Sequence, residues 1–158
     1  MPKRSLAILC VLFAASLFIT GFGKPPASAP EDLYLVTRVI DGDTIELANG
    51  DGVRYVGIDT PETKHPKKPV QYFGKEAYEA NKKLVEGKKV KFEFDVQKKD
   101  KYDRILAYVF VDDIFVNAWL VENGYAHASS YPPNVKYQNL FLNLQKEARE
   151  NNKGLWEK

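Results

Sequence analysis

Four acidic residues crowd two short stretches of this 158-residue chain. Asp41 and Asp43 flank Gly42, while Asp59 and Glu62 enclose Thr60 and Pro61. Oxygen donors of this kind suit a hard cation such as Ca²⁺, which takes carboxylates, backbone carbonyls and waters. Each piece also has an ordinary reading, since Asp-Gly-Asp-Thr forms turns and Asp-Thr-Pro leaves strands. The spacing differs from the helix-flanked calcium loop, so a cation site here would be of another type. Arginine is scarce after residue 23, at positions 38, 54, 104 and 149. Arg54 lies five residues before Asp59, and Arg104 closes the run Asp100-Lys101-Tyr102-Asp103-Arg104. The planar guanidinium fork suits phosphate, although each could equally form an ordinary ion pair. Arg38 and Arg149 read as surface residues.

Positive charge is unevenly spread. The whole chain carries 23 Lys+Arg against 21 Asp+Glu, but residues 64–104 hold 13 basic and 7 acidic residues. Tyr72, Phe73, Tyr78 and Tyr102 lie among them. A basic stretch interleaved with aromatics suits single-stranded nucleic acid. Lys82, Lys83, Lys88 and Lys89 read as a solvated face, whereas the loop lysines, Lys68 included, and Lys101 read as contacts to a polyanion. His65 and His127 have no Ser or Cys nucleophile in an obvious constellation. One cysteine, Cys10, excludes an internal disulfide and a Cys/His zinc set.

The elements that must carry these residues follow from pattern. Residues 33–40 are β-branched and aromatic, 44–48 form a second short strand, and 53–58 a third. Asp41-Gly42-Asp43 and Asn49-Gly50-Asp51-Gly52 are the turns between them. The three strands are expected to form an antiparallel meander. Residues 63–69, with three Lys, one His and two Pro, read as an exposed loop. Phe73, Ala77, Ala80 and Leu84 fall on one helical face, with Gly87 as the cap. Strands are expected over 89–96, with Val90, Phe92, Phe94 and Val96 on one side, and over 105–111. A short helix over 116–123 ends at Gly124. Tyr137, Leu140, Phe141, Leu144 and Ala148 mark a last helix. This order predicts an α+β fold: a partly open five-stranded antiparallel barrel of the OB type with about three helices. Strand alternation puts residues 54 and 59 on opposite faces. For both to reach one site, Asp59 must have left the strand, or Gly57 must mark an irregularity.

Lys3 and Arg4 precede a run from Leu6 to Phe22 without charge, followed by a Pro-, Ala- and Ser-rich stretch. Residues 1–23 are therefore expected to be a signal peptide, or an anchor if retained. Residues 24–32 would be a linker and 33–157 one domain, giving a secreted protein. Removing 1–23 takes two basic residues and no acidic one, leaving 21 of each.

Ile-Asp-Gly-Asp-Thr at 40–44, Asp-Thr-Pro-Glu-Thr-Lys-His-Pro-Lys-Lys at 59–68, Asp-Lys-Tyr-Asp-Arg at 100–104 and Leu-Ala-Tyr-Val at 106–109 closely resemble the staphylococcal nuclease (thermonuclease) family. The resemblance covers residues 33–157. It implies an OB-type barrel with three helices and Ca²⁺-dependent cleavage of DNA and RNA. It implies Asp43, Asp59 and the Thr60 carbonyl as calcium ligands, with Asp41 nearby. Glu62 would be the general base, and Arg54 and Arg104 would hold the scissile phosphate. Lys101 and Tyr102 would contact a neighbouring phosphate, and Tyr131 would line the nucleotide pocket. Products would carry 3′-phosphates, and the protein would act as a monomer. Two positions depart from the pattern. Asp103 replaces the usual glycine, where it could compete with phosphate for Arg104 or face solvent. Ser129 falls where a base-stacking tyrosine is expected. Two rival readings are a nucleic-acid-binding OB module without catalysis and an extracellular calcium-binding structural domain.

Overall fold

The computed structural model describes residues 32–63 and 69–157. The expected signal segment, nearly all of the linker, and the run 64–68 with His65 and Lys68 lie outside them. Among the described residues no helix is long and apolar enough to cross a membrane.

Three strands, β1 (Tyr34–Asp41), β2 (Thr44–Leu47) and β3 (Gly52–Tyr55), form the expected antiparallel meander. The second turn works because Gly50 adopts φ 87 and the Asn49 side chain accepts the Asp51 N–H at 3.1 Å. After α1 (Gly74–Val85), β5 (Lys89–Glu93) pairs with β1, and β6 (Ile105–Val111) pairs with β5. The chain also forms β4 (Ile58–Asp59) between β3 and α1.

The expectation of a partly open, wholly antiparallel barrel is corrected on both counts. Strand β6 returns to β3 and closes the barrel through a parallel seam, with Val53 opposite Ile105 and Tyr55 opposite Ala107. The reason is topological: five strands around a closed ring cannot alternate direction at every seam, so one pair must run parallel. Val36, Ile45, Val53, Leu106 and Val109 fill the interior, each burial contributing about 1.5–3 kcal/mol.

Strand β5 also stops short of the expected Val96, and Phe94 and Val96 are exposed. Asp95 diverts the chain, accepting hydrogen bonds from the Tyr108 hydroxyl and the Lys136 N–H, each at 2.9 Å. Helix α1 buries Ala77, Ala80 and Val85 rather than Phe73, which sits at its N-cap with φ 65 and stacks on Tyr125. Glu76 in its first turn and Lys82 and Lys83 in its last complement the helix dipole.

Beyond β6, β7 (Ile114–Phe115) is a short return strand and α2 (Val116–Glu122) ends before Gly124, at φ 74. Strand β8 (His127–Ala128) pairs with β4, and α3 (Gln138–Glu150) packs through Phe141 and Ala148. Leu140, expected on that face, is 40% exposed. Asn117 ties α2 to the barrel, accepting the Val109 N–H and donating to the Val56 carbonyl, both at 2.9 Å.

Candidate active site

The acidic and basic candidates converge where β1, β2, β3 and β4 meet. Asp43, in the turn between β1 and β2, is only 2% exposed. A carboxylate so buried needs partners. Its Oδ2 accepts the Thr60 N–H at 2.9 Å and its Oδ1 the Thr44 hydroxyl at 3.0 Å. The β2–β3 register sets Arg54 opposite Thr44, and the Arg54 guanidinium pairs with Asp43.

The same guanidinium reaches Asp59, Nη2 to Oδ1 at 2.7 Å. Strict alternation would forbid this, and the expected irregularity is present. The strand breaks at Val56–Gly57, where Gly57 turns through φ 80 before β4 resumes. A side chain there would also place its Cβ 2.5 Å from Phe141 Cε2. Gly42 is constrained differently: an added Cβ would lie 2.6 Å from Thr60 Oγ1. Any side chain at 42 would therefore push Thr60 away from Asp43.

These residues present an oxygen-only donor set. Among the described residues Thr60 Oγ1 is buried without a hydrogen-bond partner, beside the Asp43 contact. Two carboxylates, the Thr60 carbonyl and this orphaned hydroxyl fit a hard cation of the Ca²⁺ type. Among the described residues no group of three His, Cys, Asp or Glu side chains gathers as a cation cage. Arg54 instead bridges the two carboxylates.

Asp41 and Glu62 form a second group alongside. Asp41 Oδ1 accepts the Gly42 N–H at 2.9 Å and the Thr63 hydroxyl at 2.8 Å. Burial, and next a hydrogen bond shared with Glu62, push the Asp41 carboxyl above the ordinary carboxylate range. The Glu62 backbone is held by Gln71: its N–H donates to Gln71 Oε1 at 2.9 Å, and its carbonyl accepts the Gln71 N–H at 3.0 Å.

Arg104 stands just before β6, at the parallel seam. Its Nε and Nη2 donate to Asp100 Oδ2 at 2.8 and 2.7 Å. Asp100 Oδ1 accepts the backbone N–H groups of Tyr102 and Arg104 at 2.8 and 3.0 Å. Burial raises the Asp100 carboxyl, but these hydrogen bonds outweigh it and hold the group below its usual range. The Tyr102 ring lies 5.5 Å from the Arg104 guanidinium and 5.0 Å from Lys101 Nζ, with 68% of the residue exposed. The Asp103 carboxylate faces solvent, 83% exposed, and meets Lys99 at 2.8 Å.

Tyr131 is not drawn into the carboxylate cluster. It is exposed and bridges to Asn134, whose N–H donates to the Tyr131 carbonyl at 2.7 Å. Ser129 uses its N–H on the Gly57 carbonyl at 2.9 Å, which sets this segment beside the Gly57 turn. Sequence reasoning assigned no role to Gly42, Thr63, Gln71 or Asp100. Only Gly42 carried a signal, as the small residue between two aspartates.

A family model described as "Staphylococcal nuclease homologue" matches residues 52–158. The chain is 42% identical over 161 residues to the thermonuclease of Staphylococcus intermedius, covering 98% of this chain and 94% of that one. It is 44% identical over 134 residues to the thermonuclease of Staphylococcus hyicus, covering 82% and 79%. Over 143 residues it is 43% identical to endonuclease YncB of Bacillus subtilis, covering 86% and 68%.

Proposed function

The chain belongs to the staphylococcal nuclease family and is a nuclease hydrolysing phosphodiester bonds, and on that premise we propose that it is a secreted, Ca²⁺-dependent endonuclease of DNA and RNA. Single strands would be preferred, the products would carry 3′-phosphates, and the protein would act as a monomer. The observation that carries this reading is the Arg54 bridge between Asp43 and Asp59, at a seam whose other strand begins beside Arg104. Export is supported by the basic start and uncharged run of residues 1–23; membrane attachment arises only if that segment is retained.

Phosphodiester hydrolysis is slow because negative charge must build on phosphorus beside a poor leaving group. Arg54 and Arg104 neutralise that charge as it develops, and donors fixed beforehand do this at little reorganisation cost. Glu62 takes a proton from the attacking water; the water oxygen bonds to phosphorus, and the bond to the 5′ oxygen breaks, that oxygen keeping the electron pair and taking a proton from solvent to leave as a 5′-hydroxyl. Asp43, Asp59 and the Thr60 carbonyl would hold Ca²⁺, which when bound supplies charge stabilisation at the phosphate oxygens. Lys68, Lys101 and Tyr102 hold the strand beyond the scissile bond, and Tyr131 faces the nucleotide. Asp41 steadies the carboxylate turn through Gly42 and Thr63.

The test is digestion of single-stranded DNA at alkaline pH with Ca²⁺ or with chelator, beside Glu62→Ala and Arg104→Ala. The wild-type chain should shorten DNA only with Ca²⁺, and each variant should lower kcat on the order of 100-fold or more. Intact DNA in saturating Ca²⁺ would sink the calcium-dependent reading, and retained DNA binding in that case would identify a binding module.

A further inference from the structure

We infer that Gln71 is a positioning residue for Glu62, an inference that rests on Glu62 acting as the general base. The two hydrogen bonds between these residues are reciprocal: Glu62 N–H to Gln71 Oε1 at 2.9 Å, and Gln71 N–H to the Glu62 carbonyl at 3.0 Å. They engage both peptide planes flanking the Glu62 Cα. With both planes fixed, only the side-chain torsions of Glu62 remain to be set, and that side chain shares a hydrogen bond with the Asp41 carboxyl.

Gln71 is itself anchored. Its carbonyl accepts the Gly74 N–H at 3.0 Å, so it belongs to the turn that starts α1. Gly74 packs directly on the Glu62 segment: an added Cβ would stand 3.1 Å from Thr63 Cγ2 and 3.2 Å from both the Pro61 and Glu62 carbonyl oxygens. Helix α1 is locked to the barrel through Asn81, which accepts the Tyr55 hydroxyl at 2.9 Å and donates to the Asp41 carbonyl at 3.3 Å. A path of hydrogen bonds and packing therefore runs from the barrel interior through α1 and Gln71 to the Glu62 backbone. General-base catalysis is sensitive to small displacements of the base.

The division between the two bonds makes the inference testable. The bond from the Gln71 N–H survives any substitution except proline. The bond to Oε1 needs a side-chain acceptor, which glutamate keeps and alanine lacks. Gln71 is exposed, so its truncation leaves no buried gap. With the full chain, single-stranded DNA and Ca²⁺, Gln71→Ala should lower kcat about tenfold. KM, Ca²⁺ affinity by calorimetry and the urea midpoint should stay at wild-type values. Gln71→Glu should restore most of kcat, and in a Glu62→Gln background Gln71→Ala should cost nothing further. Wild-type kcat in Gln71→Ala, or equal loss in Gln71→Glu, overturns the inference while leaving the general-base reading intact. Wild-type kcat in Glu62→Gln overturns the general-base reading, and this inference with it.

Discussion

Asp103 adopts φ 64, a left-handed backbone that costs an ordinary L-residue about 1–2 kcal/mol and that aspartate tolerates better than most. Glycine, usual there in the family pattern, is free of that strain. The carboxylate turns to Lys99 and solvent, while Asp100 takes Arg104. Asp103→Gly should therefore change kcat by less than about threefold, because electrostatic catalysis depends on charges near the reacting phosphate. Relief of strain offsets the lost exposed ion pair, itself worth about 0–1 kcal/mol, so the urea midpoint should barely move. Turnover assays and urea titration check both. The sequence alone could not say which aspartate would hold Arg104. Both are within reach, and the choice depends on the Tyr102 and Arg104 N–H groups folding over Asp100.

At the level of elements, the Gly57 turn decides whether Arg54 and Asp59 share a side. It combines φ 80 with contact to Phe141. Gly57→Ala should destabilise the fold by about 2–4 kcal/mol, from left-handed strain plus overpacking. Adding Phe141→Leu should recover none of the backbone strain, so the double variant stays less stable than wild type in urea. This irregularity was legible, because parity and a glycine together demanded it. So were the meander and β6, where turn residues bound β-branched runs. Strands β4 and β8 were not, since Ile58–Asp59 and His127–Ala128 have two residues each and exist only through pairing with one another. The end of β5 is hidden from pattern because Phe94 and Val96 continue the alternation, while Asp95 finds its partners far away in sequence at Tyr108 and Lys136. Of the site, the carboxylates and arginines announced themselves by type and spacing. Gln71 did not, since its role lies in a bond to backbone that no pattern encodes.

Asp95 also acts on the whole molecule, joining the end of β5 to β6 and to the segment before α3. The Lys136 N–H above all, and then the Tyr108 hydroxyl and the Val96 N–H, hold its carboxyl below the ordinary range against burial. An unfolded aspartate titrates near about pH 3.9. With the folded value lower, the unfolded chain binds more protons as acid is added. The contribution is complete well above pH ~3.9 and is lost as pH falls through the folded value. Asp100 acts with the same sign. Urea midpoints should fall as the pH drops below about 4, and Asp95→Asn should flatten part of that slope. The parallel seam has a consequence in time. It joins residues 53–55 to 105–107, partners 52 residues apart in sequence, and so closes a costly loop. Arg54 and the residue after Arg104 lie on the two strands of that seam, and on the proposed reading, in which both arginines serve one phosphate, no earlier partial structure can bring them together. During refolding from urea, recovered turnover would then time the closing of the barrel, after spectroscopic signals from the helices and the meander have already returned.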